Sequence, residues 1–259
     1  MLPVINLFGI NIPTYGLLIC IGIIVGLIVI IKSFSKYYSV SKEDILYALI
    51  FGIIGAIIGA KLLYIITNIE LLIENKENML EILSSMINGG FVFYGGLIGG
   101  VLGVYIYAKL FKIPFKQLLI LIVPAVPLMH TFGRIGCLGA GCCYGIEYDG
   151  IGAITFMHSP VAPNGIELFP VQIVESICNL IIFGVLFFTY KKYVGTNKSI
   201  VLYMILYSIT RFILEYFRGD ALRGKVLWFY TSQWISIAII ILSITYLFIT
   251  NRKQKENNN

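Results

Sequence analysis

The sequence predicts an all-α integral membrane protein: a bundle of about seven transmembrane helices, with the N-terminus outside and the C-terminus in the cytoplasm. Two features of the composition indicate a chain that is largely surrounded by lipid. Hydrophobic residues make up 58% of the 259 residues and charged residues only 12%, whereas a soluble domain carries about 25% charged residues. The third observation is the placement of the basic residues, which alternates from one connection to the next.

Seven apolar stretches are long enough to cross a bilayer, since a helix needs roughly 20 apolar residues to span about 30 Å of hydrocarbon. The runs are continuous and lack the alternation of a membrane β-barrel. We expect one transmembrane domain over residues 1–259, with a frayed polar tail at 251–259. The predicted spans are approximately Tyr15–Ile31, Ile45–Ile66, Phe91–Phe111, Leu118–Cys137, Val171–Tyr190, Ile200–Phe217 and Ser232–Thr250.

Basic residues concentrate in the first, third and fifth connections and in the tail, which hold twelve of the 19 Lys and Arg residues. Because cytoplasmic loops carry an excess of Lys and Arg, these segments are predicted to be inside. The net charge of +6 lies in short loops, a pattern that disfavours nucleic-acid binding. The second and fourth connections hold Lys76 as their one basic residue, against the acids Glu70, Glu74, Glu77, Glu81, Glu147, Asp149 and Glu167.

Six ionisable residues fall within or at the edge of the spans, where charge is costly and marks a functional site or a structural pair. The predicted topology places all six in the outer half of the membrane, on four helices. Arg211, Glu215 and Arg218 share one helical face. They form either a self-neutralising ion triad or, as we favour, part of a site for an anionic headgroup, because guanidinium groups bind phosphate bidentately. The six are Lys61, Arg134, Glu175, Arg211, Glu215 and Arg218.

The densest candidate segment runs from His130 to Gly145. His130 and Arg134 lie four residues apart on one helical face, and the glycines that follow predict a turn at the end of the helix. His130 is equally consistent with a packed core residue and with a base. Glycines also crowd spans two and three, which favours close helix packing. An alternative for Gly95–Gly96, beside Tyr94, is an opening for a ligand.

Five cysteines are present, an odd number without the regular spacing of a disulfide framework. Cys20 and Cys178 lie inside apolar runs and are interpreted as small hydrophobic residues. Cys137, Cys142 and Cys143 lack the paired spacing of zinc ligands. We therefore predict no metal and no cofactor; metal binding by these three cysteines is kept as a minor alternative, and a disulfide among them stays open.

Taken together, these segments resemble the prolipoprotein diacylglyceryl transferase family. Gly133-Arg134-Ile135-Gly136 is similar to the start of the family signature, Gly-Arg-x-Gly-Asn. The resemblance covers most of the chain. The other matching segments, in the family's order, are Tyr15-Gly16, Gly89 to Gly99, Pro170-Val171-Gln172 with Glu175, Tyr207 to Arg218, and Gln233.

Two positions depart from the family pattern. Tyr94 stands where the family has a histidine with a catalytic role, and Cys137 stands where the signature has asparagine. The segment Cys142-Cys143-Tyr144-Gly145 replaces the usual Glu-x-x-Gly ending. His130 is a candidate for a relocated base, supplied from another helix.

The resemblance implies a multi-pass enzyme of the bacterial cytoplasmic membrane. It would transfer the diacylglyceryl group of phosphatidylglycerol to the lipobox cysteine thiol of a prolipoprotein signal peptide. Arg134 and Arg211 would hold the phosphate, and Glu215 would orient an arginine. Candidates for thiol activation are Tyr15, Tyr94 and His130, and further phospholipid contacts are expected from Arg218, Lys61, Cys137 and Gly145.

Two other functions stay open. A paralogous transferase would use the same lipid with a different acceptor, an alternative that the departures at Tyr94 and Cys137 favour. A transporter for an anionic solute would also place arginines at membrane depth. It predicts inverted repeats and access from both faces, whereas no repeat is evident and the charges favour one face.

Overall fold

The chain is mostly helical in the computed structural model, which describes residues 3–7, 9–74, 78–220 and 224–256. Lys76, Glu77 and the side chain of Glu74 lie outside the described residues. Within these ranges, seven helices are long and apolar enough to cross a membrane, so the predicted number of spans is confirmed. They are Thr14–Tyr37, Lys42–Thr67, Phe93–Leu110, Phe115–Ala140, Val171–Tyr193, Lys198–Phe217 and Thr231–Arg252.

Most spans contain one α-helix, and the fourth contains two. The α-helices in chain order are α1 (Thr14–Val29), α2 (Lys42–Thr67), α3 (Ile69–Glu74), α4 (Met79–Asn88), α5 (Phe93–Leu110), α6 (Phe115–Ile122), α7 (Val126–Ala140), α8 (Val171–Thr189), α9 (Lys198–Leu214) and α10 (Thr231–Glu256). The polar tail that was predicted to fray is helical as far as Glu256.

Proline divides the fourth span. Helices α6 and α7 are joined by a 3-10 turn at Val123–Ala125, which contains Pro124. Proline lacks an N–H and its ring clashes with the preceding helical turn, so the α-helix cannot pass through it undisturbed. The polar segment of α7, which begins after this turn, is thereby separated from the apolar end of α6, Leu118–Ile122.

The chain forms two units, Met1–Phe34 with Val123–Asn259, and Ser35–Ile122. The first unit contains α1 and α7 to α10, and the second contains α2 to α6. The single transmembrane domain over residues 1–259 stays a prediction.

Helices of the first unit pack in the order α1, α7, α8, α9, α10. A Cβ on Gly22 of α1 would lie 2.8 Å from the Phe132 Cβ and 3.0 Å from the Met129 carbonyl oxygen of α7, so the lack of a side chain there admits the close approach. Between α7 and α8, the Thr131 hydroxyl donates to the Ser176 carbonyl over 3.4 Å, and the Ser176 hydroxyl donates to the Thr131 carbonyl over 3.3 Å. In lipid the hydrophobic effect does not drive helices together, because lipid tails are as apolar as the side chains. Close packing at small residues and interhelical hydrogen bonds stabilise the helix contacts instead.

Short antiparallel hairpins flank the helices of the first unit. Strands of two to four residues carry too little hydropathy signal to be predicted from the sequence. Beside one hairpin, Phe156, Ala162 and Leu168 form a small buried core outside the spans. The pairs are β1 (Val4–Leu7) with β2 (Ile10–Pro13), β3 (Ile154–Thr155) with β4 (Glu167–Leu168), and β5 (Lys225–Val226) with β6 (Phe229–Tyr230).

Glycines set the contact between α2 and α5, the main helix pair of the second unit. A Cβ on Gly99 would overlap the carbonyl of Gly55, and a Cβ on Gly103 would overlap the carbonyl of Phe51. The backbones therefore touch directly, and the prediction of close glycine packing is confirmed.

The alternative in which Gly95 and Gly96 open a space for a ligand is wrong. A Cβ on Gly95 would overlap the carbonyl of Gly59 on α2. At Gly96 a Cβ would lie 3.4 Å from both the Ala56 carbonyl oxygen and the Ala60 Cβ. Both glycines are thus occupied by helix packing.

Replacing Gly99 with alanine should lower the melting temperature of the protein in detergent, because the added methyl group overlaps the Gly55 carbonyl. Overpacking of this kind costs about 1–3 kcal/mol. Gly100→Ala is the matched control, since its nearest neighbour would be the Gly52 carbonyl oxygen at 3.4 Å, an ordinary contact. Thermal unfolding checks the pair, and equal melting temperatures would contradict the packing described.

Candidate active site

A buried carboxylate is the centre of the polar cluster in the first unit. Glu175, in the second turn of α8, is 2% exposed. Its Oε2 lies 2.5 Å from Arg134 Nη2 and 4.0 Å from Arg218 Nη1, and its Oε1 lies 3.8 Å from His130 Nε2. A charge removed from water persists only with such partners. Residues from α7, α8 and the segment after α9 therefore converge on one anion.

Helix geometry explains why α7 supplies two of these partners. His130 and Arg134 are four residues apart and share a helical face, as predicted. The hydroxyl contacts between Thr131 and Ser176 fix that face against α8, one residue away from His130 and from Glu175. Asn179 donates from Nδ2 to the Glu175 carbonyl over 2.8 Å, so polar groups continue along the buried face of α8.

The three charged residues at the end of α9 do not share one helical face, contrary to the prediction. Arg211 Nη2 does lie 2.7 Å from Glu215 Oε2. The α-helix ends at Leu214, a 3-10 turn follows at Glu215–Phe217, and Arg218 is extended. The change of backbone turns Arg218 towards Glu175 of α8, which helical spacing could not reveal.

Arg218 has a second acidic partner, Asp220. Its Nε and Nη2 donate to the two carboxylate oxygens of Asp220 over 3.2 and 2.9 Å, which is a bidentate pair. Burial opposes the charge on Arg218, but the hydrogen bonds to Asp220 hold the pKa of the guanidinium above its ordinary value. Arg218 is thereby held as a permanent cation at the end of its span.

Two guanidinium nitrogens in this cluster have no hydrogen-bond partner within the described parts of the chain. They are Arg134 Nε on α7 and Arg211 Nη1 on α9, and both are buried. Buried polar groups are nearly always paired, so each exception requires an explanation. Both nitrogens are donors, so an acceptor such as an anion would satisfy them.

Gly145 is a crossing point of three backbone segments. Next to it, Ile146 N–H donates to the Phe217 carbonyl and Gly219 N–H donates to the Tyr144 carbonyl, both over 3.0 Å. A Cβ on Gly145 would overlap the carbonyl of Phe169. The absence of a side chain thus lets the segment after α7 pack beside Arg218, and substrate contact by Gly145 stays a prediction.

The segment after α7 folds back so that three cysteine sulfurs meet. Gly141 and Cys143 both have left-handed backbone conformations, with φ of 70° and 54°. The Sγ atoms of Cys137, Cys142 and Cys143 all lie within 4.8 Å of one another. Cys137 Sγ is 4.0 Å from Arg134 Nη1. Sequence spacing missed this grouping because it depends on two left-handed residues.

Tyr15 joins the same cluster from the first turn of α1. A Cβ on Gly136 would lie 3.1 Å from the Tyr15 ring, so the lack of a side chain at Gly136 admits the tyrosine. The phenol is within electrostatic range of Arg134 and of the three clustered cysteines. The predicted residues Tyr15, His130, Arg134 and Cys137 thus belong to one neighbourhood. Tyr207 extends it, with its ring centroid 5.6 Å from that of His130.

Lys61 and Tyr94 belong to the second unit. Lys61 Nζ donates to the carbonyls of Met86, Gly89 and Gly90 over 3.3, 2.9 and 3.0 Å. An ammonium group has three N–H donors, so this arrangement favours a structural role over the predicted phospholipid contact. Tyr94 lies in the first turn of α5, and its role in thiol activation stays a prediction.

The family model described as prolipoprotein diacylglyceryl transferase matches residues 3–249. The chain belongs to the prolipoprotein diacylglyceryl transferase family. It is 41% identical over 257 residues to the phosphatidylglycerol–prolipoprotein diacylglyceryl transferase of Clostridium tetani, covering 99% of this chain and 100% of that one. Transferase 2 of Clostridium perfringens is 36% identical, with 97% and 96% covered, and the Finegoldia magna transferase is 32% identical, with 96% and 95% covered.

Within this member of the prolipoprotein diacylglyceryl transferase family, the structure adds residues to the site that the sequence predicted. Glu175 was recognised as a buried charge, but its central position depends on packing between helices. Asp220 was missed because it lies in a connection and follows no motif. Cys142 and Cys143 were interpreted without their spatial grouping with Cys137. Among these, only the buried charge of Glu175 gave a usable signal in the sequence.

Replacing Glu175 with glutamine should lower the stability of the protein markedly, because Arg134, Arg218 and His130 lose their shared anion. Removing one member of a buried ion pair costs about 3–5 kcal/mol. Thermal unfolding in detergent measures the effect. Glu167→Gln, at an exposed acid in β4, is the control and should leave the melting temperature unchanged. Equal melting temperatures for both variants would contradict a central role for Glu175.

Proposed function

We propose that this protein transfers the diacylglyceryl group of phosphatidylglycerol to the lipobox cysteine thiol of a prolipoprotein. The named relatives support this over their whole length. The structural observation that carries the proposal is the pair of buried guanidinium nitrogens on α7 and α9 that have no partner in the described chain. Two such donors at membrane depth suit the phosphate of a lipid headgroup.

The reaction is a substitution at a glyceryl carbon. The acceptor sulfur forms a bond to the carbon that carries the phosphate, and the bond between that carbon and the phosphate oxygen breaks. The electron pair leaves with the oxygen of glycerol phosphate, and the thiol proton passes to a base. Negative charge grows on the leaving phosphate, where fixed donors stabilise the transition state most strongly.

Arg134 and Arg211 are the residues assigned to that phosphate. Each is anchored by a carboxylate on its own side of the site: Arg134 by Glu175 and Arg211 by Glu215. The anchors leave Nε of Arg134 and Nη1 of Arg211 for the lipid. Glu175 and Glu215 are therefore positioning residues, and Arg218 contributes positive charge beside them.

Tyr15 and His130 are the candidates for thiol activation in this cluster. His130 Nε2 lies 3.8 Å from Glu175 Oε1, so the carboxylate can orient the imidazole. The phenol of Tyr15 is close enough to Arg134 for an electrostatic interaction with its guanidinium group. Tyr94, in the second unit, is the third candidate.

The proposed location is the outer half of the bacterial cytoplasmic membrane. The excess of Lys and Arg in the odd connections and the tail supports a cytoplasmic position for these segments. With that topology, the ends of α7 and α9 and the start of α8 are on the outer side. A secreted precursor presents its cysteine there after translocation.

The first test gives this gene to a strain that lacks its own transferase, together with a labelled lipoprotein precursor. Conversion of the precursor to the diacylglyceryl form is expected. Good expression without conversion would overturn the proposed activity, and consumption of phosphatidylglycerol without lipidation of the precursor would indicate a different acceptor.

Arg134→Lys and Arg211→Lys should each reduce turnover by roughly 100-fold or more, because the single nitrogen of lysine cannot both keep the carboxylate anchor and donate to the phosphate, and loss of one transition-state donor has about this effect. Arg252→Lys, at an exposed position near the end of α10, is the control and should keep full activity. Turnover is measured with purified protein and labelled phosphatidylglycerol. Unchanged turnover in both site variants would remove the phosphate-binding assignment.

A further inference from the structure

The three grouped cysteines are arranged as metal ligands. Cys137 comes from the last turn of α7, and Cys142 and Cys143 come from the turn that follows. Their sulfurs lie within 4.8 Å of one another. A tetrahedral zinc ion with Zn–S bonds of about 2.3 Å requires sulfurs roughly 3.8 Å apart. The present spacing therefore needs to contract by about 1 Å or less to hold such an ion.

The turn that carries these cysteines is held from several sides. Cys142 N–H donates to the Cys137 carbonyl over 3.0 Å, which closes the turn on the helix. Gln172 of α8 donates to the Cys142 carbonyl over 2.9 Å, and the Ser159 hydroxyl donates to the Gly141 carbonyl over 2.8 Å. Contacts from three parts of the chain thus position the sulfurs, including Cys143 in its left-handed conformation, before any ion binds.

The positive charges of nearby arginines favour an anionic complex of three thiolates and a metal ion. Three thiolates and one divalent ion carry a net charge of −1. Arg134 lies 4.0 Å from the Cys137 sulfur, and Arg134 and Arg218 are both within electrostatic range of Cys143. Thiolate ligands select soft or borderline ions such as zinc or copper(I) over calcium and magnesium.

We propose that Cys137, Cys142 and Cys143 form a three-thiolate site for a soft metal ion, with a fourth coordination position that takes the thiol of the acceptor. The second half of this statement rests on the proposed function. Sites with three protein ligands and an open position are typical of catalytic zinc, whereas structural zinc has four protein ligands. A thiol bound to such an ion is deprotonated.

The chemical step balances without any change in the oxidation state of the metal. The acceptor thiol binds the ion and its proton passes to water. The metal-bound sulfur then forms the bond to the glyceryl carbon, the carbon–oxygen bond to phosphate breaks, and the electron pair leaves with the phosphate oxygen.

The metal site is tested by titrating the purified, reduced and chelator-treated full-length protein with cobalt(II). We expect one ion per chain and a thiolate-to-cobalt charge-transfer band in the near ultraviolet. Cys137→Ser, Cys142→Ser and Cys143→Ser should each weaken binding at least tenfold. Cys20→Ser and Cys178→Ser are the matched controls and should bind as the parent protein does.

Absence of the charge-transfer band in the parent protein would overturn the metal site. So would a band that survives in all three cluster variants. A disulfide that forms among the three cysteines and persists under the reducing conditions would also overturn it, because the ligands would be consumed. Melting temperatures of the metal-free variants show that each has folded.

The open position is tested with a short lipobox peptide added to the cobalt-loaded protein. The cysteine peptide should shift the visible absorption bands, and the same peptide with serine should not. Identical spectra with both peptides would overturn acceptor binding at the ion. Full transfer activity of protein shown by mass spectrometry to be metal-free would overturn the role of the ion in thiol activation and leave the proposed function standing. Absence of transfer in both metal-free and zinc-loaded protein would overturn the proposed function, and with it the acceptor position, while the cobalt titration still decides the three-thiolate site.

Discussion

The buried charge of Glu175 is the constraint on which the polar part of this protein depends. A carboxylate at 2% exposure inside a membrane helix requires compensation from several elements at once. Arg134 and His130 reach it from α7, and Arg218 reaches it from beyond α9. The hydroxyl contacts between α7 and α8 adjoin His130 and Glu175, and the crossing at Gly145 adjoins Arg218. Arg134 and Arg218 are therefore positioned by Glu175, Arg211 is positioned by Glu215, and one nitrogen each of Arg134 and Arg211 is left for a ligand.

Much of the fold could be predicted, because a lipid environment imposes strong rules on sequence. Seven long apolar runs predicted the seven spans, and glycine enrichment predicted the α2–α5 contact. Six charges at membrane depth identified the candidate site residues. These features depend on local composition, which a single sequence records directly.

The rest depended on backbone geometry and on contacts between distant segments. Helical spacing predicted that Arg218 lies on the same helical face as Arg211. A 3-10 turn ends the helix before Arg218, which instead contacts Glu175 and Asp220. The left-handed conformations of Gly141 and Cys143 accompany the grouping of Cys137, Cys142 and Cys143, although the spacing of these cysteines in the sequence had argued against a metal site. Lys61 donates to three backbone carbonyls, although its place in a predicted span and the family resemblance had put it among the phospholipid contacts.

The most direct measurement for the central claim is an experimental structure of the protein in a lipid nanodisc that contains phosphatidylglycerol. The account predicts that the lipid phosphate lies within hydrogen-bonding distance of Arg134 Nε and Arg211 Nη1, while Glu175 keeps its contact with Arg134. A headgroup bound elsewhere, with both nitrogens still lacking an acceptor, would contradict it.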